Sequence, residues 1–125
     1  MGAPAILIID DVAATRTGLA QLLRLKGYDA LEAPNGEDGL RVLVANPQVR
    51  VVVLDLNMPG TSGYWFREEQ RKLPTIAHVP VIAFTGGDMP DDSFGFIERL
   101  RKPISVGALL TVLEACCLHE STGPP

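Results

Sequence analysis

The sequence has few of the residues that stabilise small secreted domains or hold clustered metal ions. It contains two cysteines, Cys116 and Cys117, and two histidines, His78 and His119. Adjacent cysteines rarely form a useful disulfide, and these four residues do not have the spacing of a zinc site. Disulfides form in oxidising compartments. A cysteine pattern that predicts no disulfide therefore favours a cytoplasmic location.

Basic clusters and long apolar runs are also missing. The formal net charge is −4, and no run of Lys and Arg forms a basic patch. The chain therefore lacks the positive surface with which proteins bind nucleic acid. No apolar run approaches the roughly 18 residues that a membrane-spanning helix needs. We therefore expect a protein that binds neither nucleic acid nor membrane directly. The sequence also has no GxGxxG or Walker A motif, which argues against nucleotide binding.

The length and composition that are present fit one compact domain. A chain of 125 residues with 46% apolar residues can bury a single core. We find no internal repeat and no linker. The sequence therefore predicts one domain over residues 1–125, with a core from about 5 to 118 and a frayed tail over 119–125.

Three short apolar runs indicate buried strands. They are AILII at residues 5–9, VVVL at 51–54 and VIAF at 81–84. The runs are continuous rather than alternating and rich in β-branched residues, which is typical of parallel strands covered on both faces. Residues 28–33 and 97–101 predict two further strands, and the mixed polarity of the second suits a sheet edge.

Helical patterns with caps at their ends fill the intervals between these strands. The predicted helices span residues 13–26, 37–45, 62–73 (beginning at Ser62 or Thr61) and 106–118. Alternation of strands and helices predicts an α/β fold with a single doubly wound, five-stranded parallel sheet. Right-handed crossovers favour the strand order 2-1-3-4-5.

Side chains able to bind cations and phosphate follow four of the predicted strands. They are Asp10, Asp11, Asp55, Thr85 and Lys102. Open α/β sheets place their sites at the carboxyl ends of strands, so these side chains should meet at one rim. Each of these residues alone is commonly part of a turn or a helix cap. Their joint placement at the ends of four strands favours a functional site. Three neighbouring carboxylates repel one another, so a proton or a cation must neutralise them, and oxygen ligands suit Mg²⁺.

Such a rim can carry phosphoryl chemistry. A carboxylate beside Mg²⁺ can attack phosphorus and form an aspartyl phosphate. Transfer depends mainly on positioning and on neutralising the charge of the phosphoryl oxygens, which Lys102 and the Thr85 hydroxyl can do. Gly86 and Gly87 leave space for the incoming donor.

Four segments resemble the receiver domain of two-component response regulators. They are IIDD at 8–11, VVVLDLNMPGTSG at 51–63, PVIAFTG at 80–86 and KP at 102–103. The resemblance covers about residues 5–118 and implies a flavodoxin-like, CheY-like fold. It also implies that the chain takes a phosphoryl group from a histidine kinase or a phosphotransfer protein.

The resemblance assigns a role to each residue of the site. Asp55 is the phosphoacceptor, and the Mg²⁺ ligands are Asp10, Asp11, Asp55 and the backbone carbonyl of Asn57. The phosphoryl group would contact Thr85, Gly86 and Lys102, with Pro103 following in a cis peptide bond. Asn57 and Gly87 stand at positions that tune phosphoryl lifetime in the family, and their size predicts a short-lived phosphate.

Two departures from the family fall on one region. Receivers carry Tyr or Phe where this chain has Arg99, and Thr85 and Lys102 are only 17 positions apart. Residues 86–95 are rich in glycine and polar residues, so the family's fourth helix should be shortened or replaced by a loop. We expect the signal to leave by another surface, or through order–disorder of residues 86–96.

Other functions remain open at this point. A binding module that no longer needs phosphate, a pseudo-receiver, fits the altered region. A phosphatase with an Asp nucleophile is disfavoured, because Asp55 follows the third predicted strand rather than the first. We expect no enzyme activity beyond the chain's own phosphotransfer and dephosphorylation. A second copy of the chain or a downstream effector is the further expected partner.

Overall fold

The computed structural model describes residues 4–60 and 62–118, which form a parallel sheet covered on both faces by helices. The five strands are β1 (Ala5–Ile9), β2 (Asp29–Ala33), β3 (Val49–Asp55), β4 (Val81–Thr85) and β5 (Glu98–Arg101). They are all parallel, in the order β2-β1-β3-β4-β5. The predicted fold class and strand order are therefore confirmed.

Four α-helices connect or follow these strands. They are α1 (Ala13–Leu25), α2 (Gly36–Ala45), α3 (Gly63–Arg71) and α4 (Val106–Leu113), and α4 continues into a π-helical turn over Glu114–Leu118. The Asn35, Ser62 and Ser105 side chains cap α2, α3 and α4 by accepting a hydrogen bond from a backbone N–H of the first turn. Thr61 and the tail 119–125 lie outside the described residues, so those two predictions are untested.

The core consists of two clusters, one on each face of the sheet. On one face Ile6 and Ile8 of β1 join the buried side chains of α1 and α4, and on the other Leu7 joins those of α2 and α3. Strands β1, β3 and β4 are buried on both faces, which explains their continuous apolar sequences. Within the described residues no helix is long and apolar enough to span a membrane.

Strand β4 reaches β5 through a loop, residues 86–97, which we call the β4–β5 loop. Its only helical part is a single 3-10 turn at Asp92–Phe94. The prediction that the family's fourth helix is shortened or replaced is confirmed. At Gly95 the backbone adopts φ 66°, a left-handed conformation that favours glycine and ends the turn.

The buried side chain of Arg67, on α3, holds one end of this loop. Its Nε donates to the Phe94 carbonyl at 2.7 Å, and Nη2 donates to the Gly95 carbonyl at 3.2 Å. Its Nη1 donates to Gln70 Oε1 at 2.8 Å, and Gln70 in turn donates to the carbonyls of Ile76 and Val79. Arg67 thus supplies hydrogen bonds that a helix would have supplied from its own backbone.

Two arginines of β5 hold the rest of the loop. Arg99 Nη1 donates to the Pro90 carbonyl at 2.8 Å and lies 2.9 Å from a carboxylate oxygen of Asp92. Arg101 Nη1 donates to the Gly87 carbonyl at 2.8 Å. Arg99 therefore stays at the surface and pairs with the loop.

Candidate functional site

Three carboxylates meet at the carboxyl edge of the sheet. Asp10 and Asp11 follow β1, and Asp55 is the last residue of β3. Because β1 and β3 are neighbours with Ile9 opposite Leu54, the residues that follow are brought side by side. One oxygen from each carboxylate lies within 4.8 Å of the others. The structure therefore brings together the three aspartates that the sequence predicted to converge.

The Asp55 carboxylate is fully buried, and its two oxygens have different surroundings. Oδ1 accepts a hydrogen bond from the Asn57 N–H at 2.8 Å and lies 2.9 Å from the Lys102 ammonium. Oδ2 is buried with no hydrogen-bond partner, the single such side-chain atom among residues 4–60 and 62–118. A buried oxygen without a hydrogen bond costs free energy. A bond to a cation or to an electrophile would therefore stabilise Oδ2.

Burial and neighbouring charges both act on the carboxyl of Asp10. Burial raises the pKa of its carboxyl, and the nearby negative charges of Asp55 and Asp11 raise it further. A hydrogen bond from the Val12 N–H to Oδ1, 2.9 Å long, and the charge of Lys102 act in the opposite direction. A bound cation would relieve this repulsion, so the electrostatics of the rim fit a divalent metal ion.

Lys102 brings a positive charge to the rim from the end of β5. Its ammonium also lies 5.5 Å from the ring centroid of Phe84, which helps to fix the long side chain. The Lys102–Pro103 peptide bond is cis, as the resemblance implied. One ammonium among three carboxylates leaves the rim short of positive charge.

Thr85 and Gly86 lie at the end of β4, beside the residues that follow Asp55. The Thr85 hydroxyl donates to the side-chain oxygen Oδ1 of Asn57 at 2.9 Å, and the Gly86 N–H donates to the same oxygen at 2.8 Å. The Gly87 N–H donates to Thr85 Oγ1 at 3.0 Å. The sequence predicted a metal-binding backbone carbonyl and an influence on phosphoryl lifetime for Asn57, but not this side-chain contact with Thr85 and Gly86. Its place two residues after β3, next to the end of β4, is the signal that could have indicated this second contact.

A cavity of about 330 Å³ lies next to the carboxylates, between α1 and residues 102–106. Asp10 and Lys102 line one side, and most of the other lining residues are apolar, including Val12 and Phe84. The Val12 side chain is half exposed at its edge. The rim is thus accessible from solvent on the side of α1.

Comparison with known proteins gives a consistent picture. The response regulator receiver domain family matches residues 6–114. Protein PilH of Pseudomonas aeruginosa is 31% identical over 115 residues, which are 88% of this chain and 94% of PilH. Sensor histidine kinase CheAY of Helicobacter pylori is 32% identical over 115 residues, 87% of this chain and 14% of the kinase. Three other curated relatives are also longer, and the chain spans 24% to 53% of their length.

A solved structure supports the same conclusion. The crystal structure of a response regulator receiver domain protein from Clostridium thermocellum superposes with a TM-score of 0.81 and 28% sequence identity. The match covers 94% of this chain and 97% of the Clostridium chain. The likeness therefore extends over almost the whole of both domains.

Proposed function

This chain belongs to the response regulator receiver domain family, and on that premise we propose that Asp55 accepts a phosphoryl group from a phosphohistidine. The donor would be a sensor histidine kinase or a phosphotransfer protein. The observation that carries the proposal is the buried, unpaired Oδ2 of Asp55, because a nucleophile needs a lone pair that no hydrogen bond engages.

The transfer follows from the two environments of the Asp55 carboxylate. Oδ2 attacks phosphorus and forms the O–P bond, while the P–N bond breaks, and the imidazole nitrogen keeps the bonding electron pair and takes a proton from solvent. Lys102, beside Oδ1, offsets the added charge. The hydroxyl of Thr85 and the N–H of Gly86, at the end of the neighbouring strand β4, would stabilise two phosphoryl oxygens.

The residues of the rim fit Mg²⁺ as the metal of this reaction. Asp10, Asp11, Asp55 and the backbone carbonyl of Asn57 would hold it, since hard oxygen ligands and closely spaced carboxylates suit this ion. When bound, Mg²⁺ would neutralise part of the phosphoryl charge. Without a cation, burial and the neighbouring carboxylates raise the pKa of Asp10, and a bound cation would relieve this repulsion.

We further propose that the chain acts in the cytoplasm as a signalling module. It would catalyse only its own phosphotransfer and dephosphorylation, and phosphorylation would change its binding to an effector or to a second copy of itself. We propose no direct contact with nucleic acid or membrane, because the chain has a formal net charge of −4 and its sequence has no run of Lys and Arg.

Incubation with Mg²⁺ and acetyl phosphate tests the central claim. We expect a mass gain of one phosphoryl group that is stable in acid and labile in base, and that Asp55→Asn abolishes. Asp29→Asn, the same change at an exposed position at the start of β2, should retain the gain. A gain that persists in Asp55→Asn would contradict the assignment. No gain and no Mg²⁺-dependent beryllofluoride binding would favour the pseudo-receiver.

A further inference from the structure

Two of the three donors assigned to the phosphoryl group, those of Thr85 and Gly86, already share one acceptor. A hydroxyl has one hydrogen to donate, and so has a backbone N–H. In this structure the Thr85 hydroxyl and the Gly86 N–H both donate to Asn57 Oδ1, at 2.9 and 2.8 Å. Neither group can bind a phosphoryl oxygen until it leaves Asn57.

The backbone keeps Asn57 in this position. Leu56 continues the pairing of β3 with β4, since its N–H donates to the Phe84 carbonyl at 3.0 Å. The Asn57 N–H is held on Asp55 Oδ1 at 2.8 Å. The side chain of Asn57 therefore starts from a fixed point beside Thr85 and Gly86. A carbonyl oxygen placed there accepts from the same two donors that would bind a phosphoryl group on Asp55.

We propose that the Asn57 side chain occupies the place of a phosphoryl oxygen while Asp55 is unmodified. It holds Thr85 and Gly86 in position and must turn away when the phosphoryl group arrives. This inference rests on the proposed function and makes Asn57 a positioning residue that competes with the phosphoryl group. Room for the turn exists at Gly87, where even an added Cβ would lie 3.8 Å from Asn57 Nδ2.

Competition has a measurable consequence. Removing the Asn57 acceptor should strengthen binding of a phosphoryl mimic, because the donors no longer have to exchange one partner for another. In saturating Mg²⁺, we expect a variant without this acceptor to bind beryllofluoride roughly two- to tenfold more tightly than the wild-type protein. This factor corresponds to the net free energy of about one hydrogen bond. Affinity for Mg²⁺ alone should change little, since the proposed ligand is the Asn57 backbone carbonyl.

Two substitutions separate competition from shielding. Asn57→Leu keeps the size of the side chain and removes the acceptor, whereas Asn57→Ala removes both. If Asn57 competes, both variants bind beryllofluoride more tightly. If Asn57 only shields the site from solvent, the beryllofluoride affinities of the two variants should differ, because leucine still covers the part of the site that alanine exposes. Asn46→Leu makes the same chemical change at the end of α2, at the opposite edge of the sheet, and should leave the affinity unchanged.

A second readout needs no phosphoryl mimic. The amide proton resonance of Gly86 should shift upfield in Asn57→Leu and Asn57→Ala, because the hydrogen bond to Oδ1 is lost. An unmoved resonance, or equal or weaker beryllofluoride binding by both variants while the wild type binds, overturns this inference and leaves the proposed function intact. Failure of the wild-type protein to bind beryllofluoride overturns both.

Discussion

The carboxyl rim of the sheet and the β4–β5 loop are adjacent, yet they differ in how far their polar groups are paired. At the rim, three carboxylates face a single ammonium from Lys102, and one buried oxygen of Asp55 has no partner. In the loop, four backbone carbonyls each receive a hydrogen bond from an arginine side chain. They belong to Gly87, Pro90, Phe94 and Gly95.

The contrast indicates which region is built to bind and which is built to hold its shape. Unpaired charge at the rim lowers stability and creates affinity for a cation and a phosphoryl group. Functional sites commonly lower the stability of a fold in this way. The loop has lost the helix that would satisfy its backbone, and side chains of α3 and β5 replace those hydrogen bonds. Substitutions in the two regions should therefore change stability with opposite sign.

The largest expected effect comes from Arg67→Ala. Phe94 and Gly95 would lose the donor to their carbonyls, and Gln70 would lose a partner in a buried network. We expect the free energy of unfolding in urea to fall by about 3 kcal/mol, the cost of several charge-assisted hydrogen bonds lost without replacement. Arg71→Ala, at an exposed position of the same helix, should cost less than about 0.5 kcal/mol.

This comparison also tests whether the two regions are independent. The rim shares no hydrogen bond with Arg67, so folded Arg67→Ala should still take phosphate from acetyl phosphate. Equal destabilisation by Arg67→Ala and Arg71→Ala would show that the buried guanidinium is not what holds the loop.

Asp10→Asn should have a smaller effect of opposite sign. The pKa of Asp10 is raised in the folded state, so its ionisation opposes folding once the pH exceeds the ordinary value of 3.8. Asparagine keeps the acceptor for the Val12 N–H and removes the charge. We expect the unfolding free energy at neutral pH to rise by about 1 kcal/mol, a typical gain at a strained functional site.

The pH dependence identifies the cause of that gain. Below pH 3.8 the carboxyl is protonated in both the folded and the unfolded chain, so the advantage of Asp10→Asn should vanish there. Asp29→Asn serves as the control and should leave stability almost unchanged at both pH values. An advantage that persists in acid would assign the gain to packing rather than to charge.

The sequence was sufficient to predict the fold and the members of the rim, because both follow from regular patterns. Continuous apolar runs marked the buried strands, and a parallel sheet collects the residues after its strands at one edge. Asp10, Asp55 and Lys102 each follow a predicted strand, so their neighbourhood could be inferred without coordinates. The absence of the helix between β4 and β5 also followed from local composition, in particular from Gly86, Gly87 and Pro90.

The contacts of Arg67 could not be predicted in this way, and the contact of the Asn57 side chain could be inferred only from the pairing of β3 with β4. Arg67 lies in α3 among charged residues and resembles a surface side chain, yet it binds carbonyls 27 and 28 positions further along the chain. Such contacts depend on how a loop folds back on a helix, which no local period encodes. For Asn57, the pairing of β3 with β4 decides which side chain meets Thr85.

The smallest expected effect, Arg99→Ala, tests whether the loop responds to the rim. The ion pair of Arg99 with Asp92 is exposed, so its loss should cost only about 0.5 kcal/mol. Local opening is a more sensitive measure, because the Gly95 N–H donates to the Asp92 carbonyl within the 3-10 turn. We expect faster amide exchange at Gly95 in Arg99→Ala, and no change in Arg41→Ala, which removes an exposed ion pair from α2.

Beryllofluoride extends this test to signalling. If the phosphoryl mimic draws Thr85 and Gly86 toward Asp55, strain should pass to Gly87 and the Arg101 side chain that holds its carbonyl. Amide protection within residues 86–96 should then change in the wild-type protein, and change more where Arg99 no longer restrains the turn. Unchanged protection throughout the loop in both proteins would mean that it is a rigid replacement for a helix, and that the signal leaves by another surface.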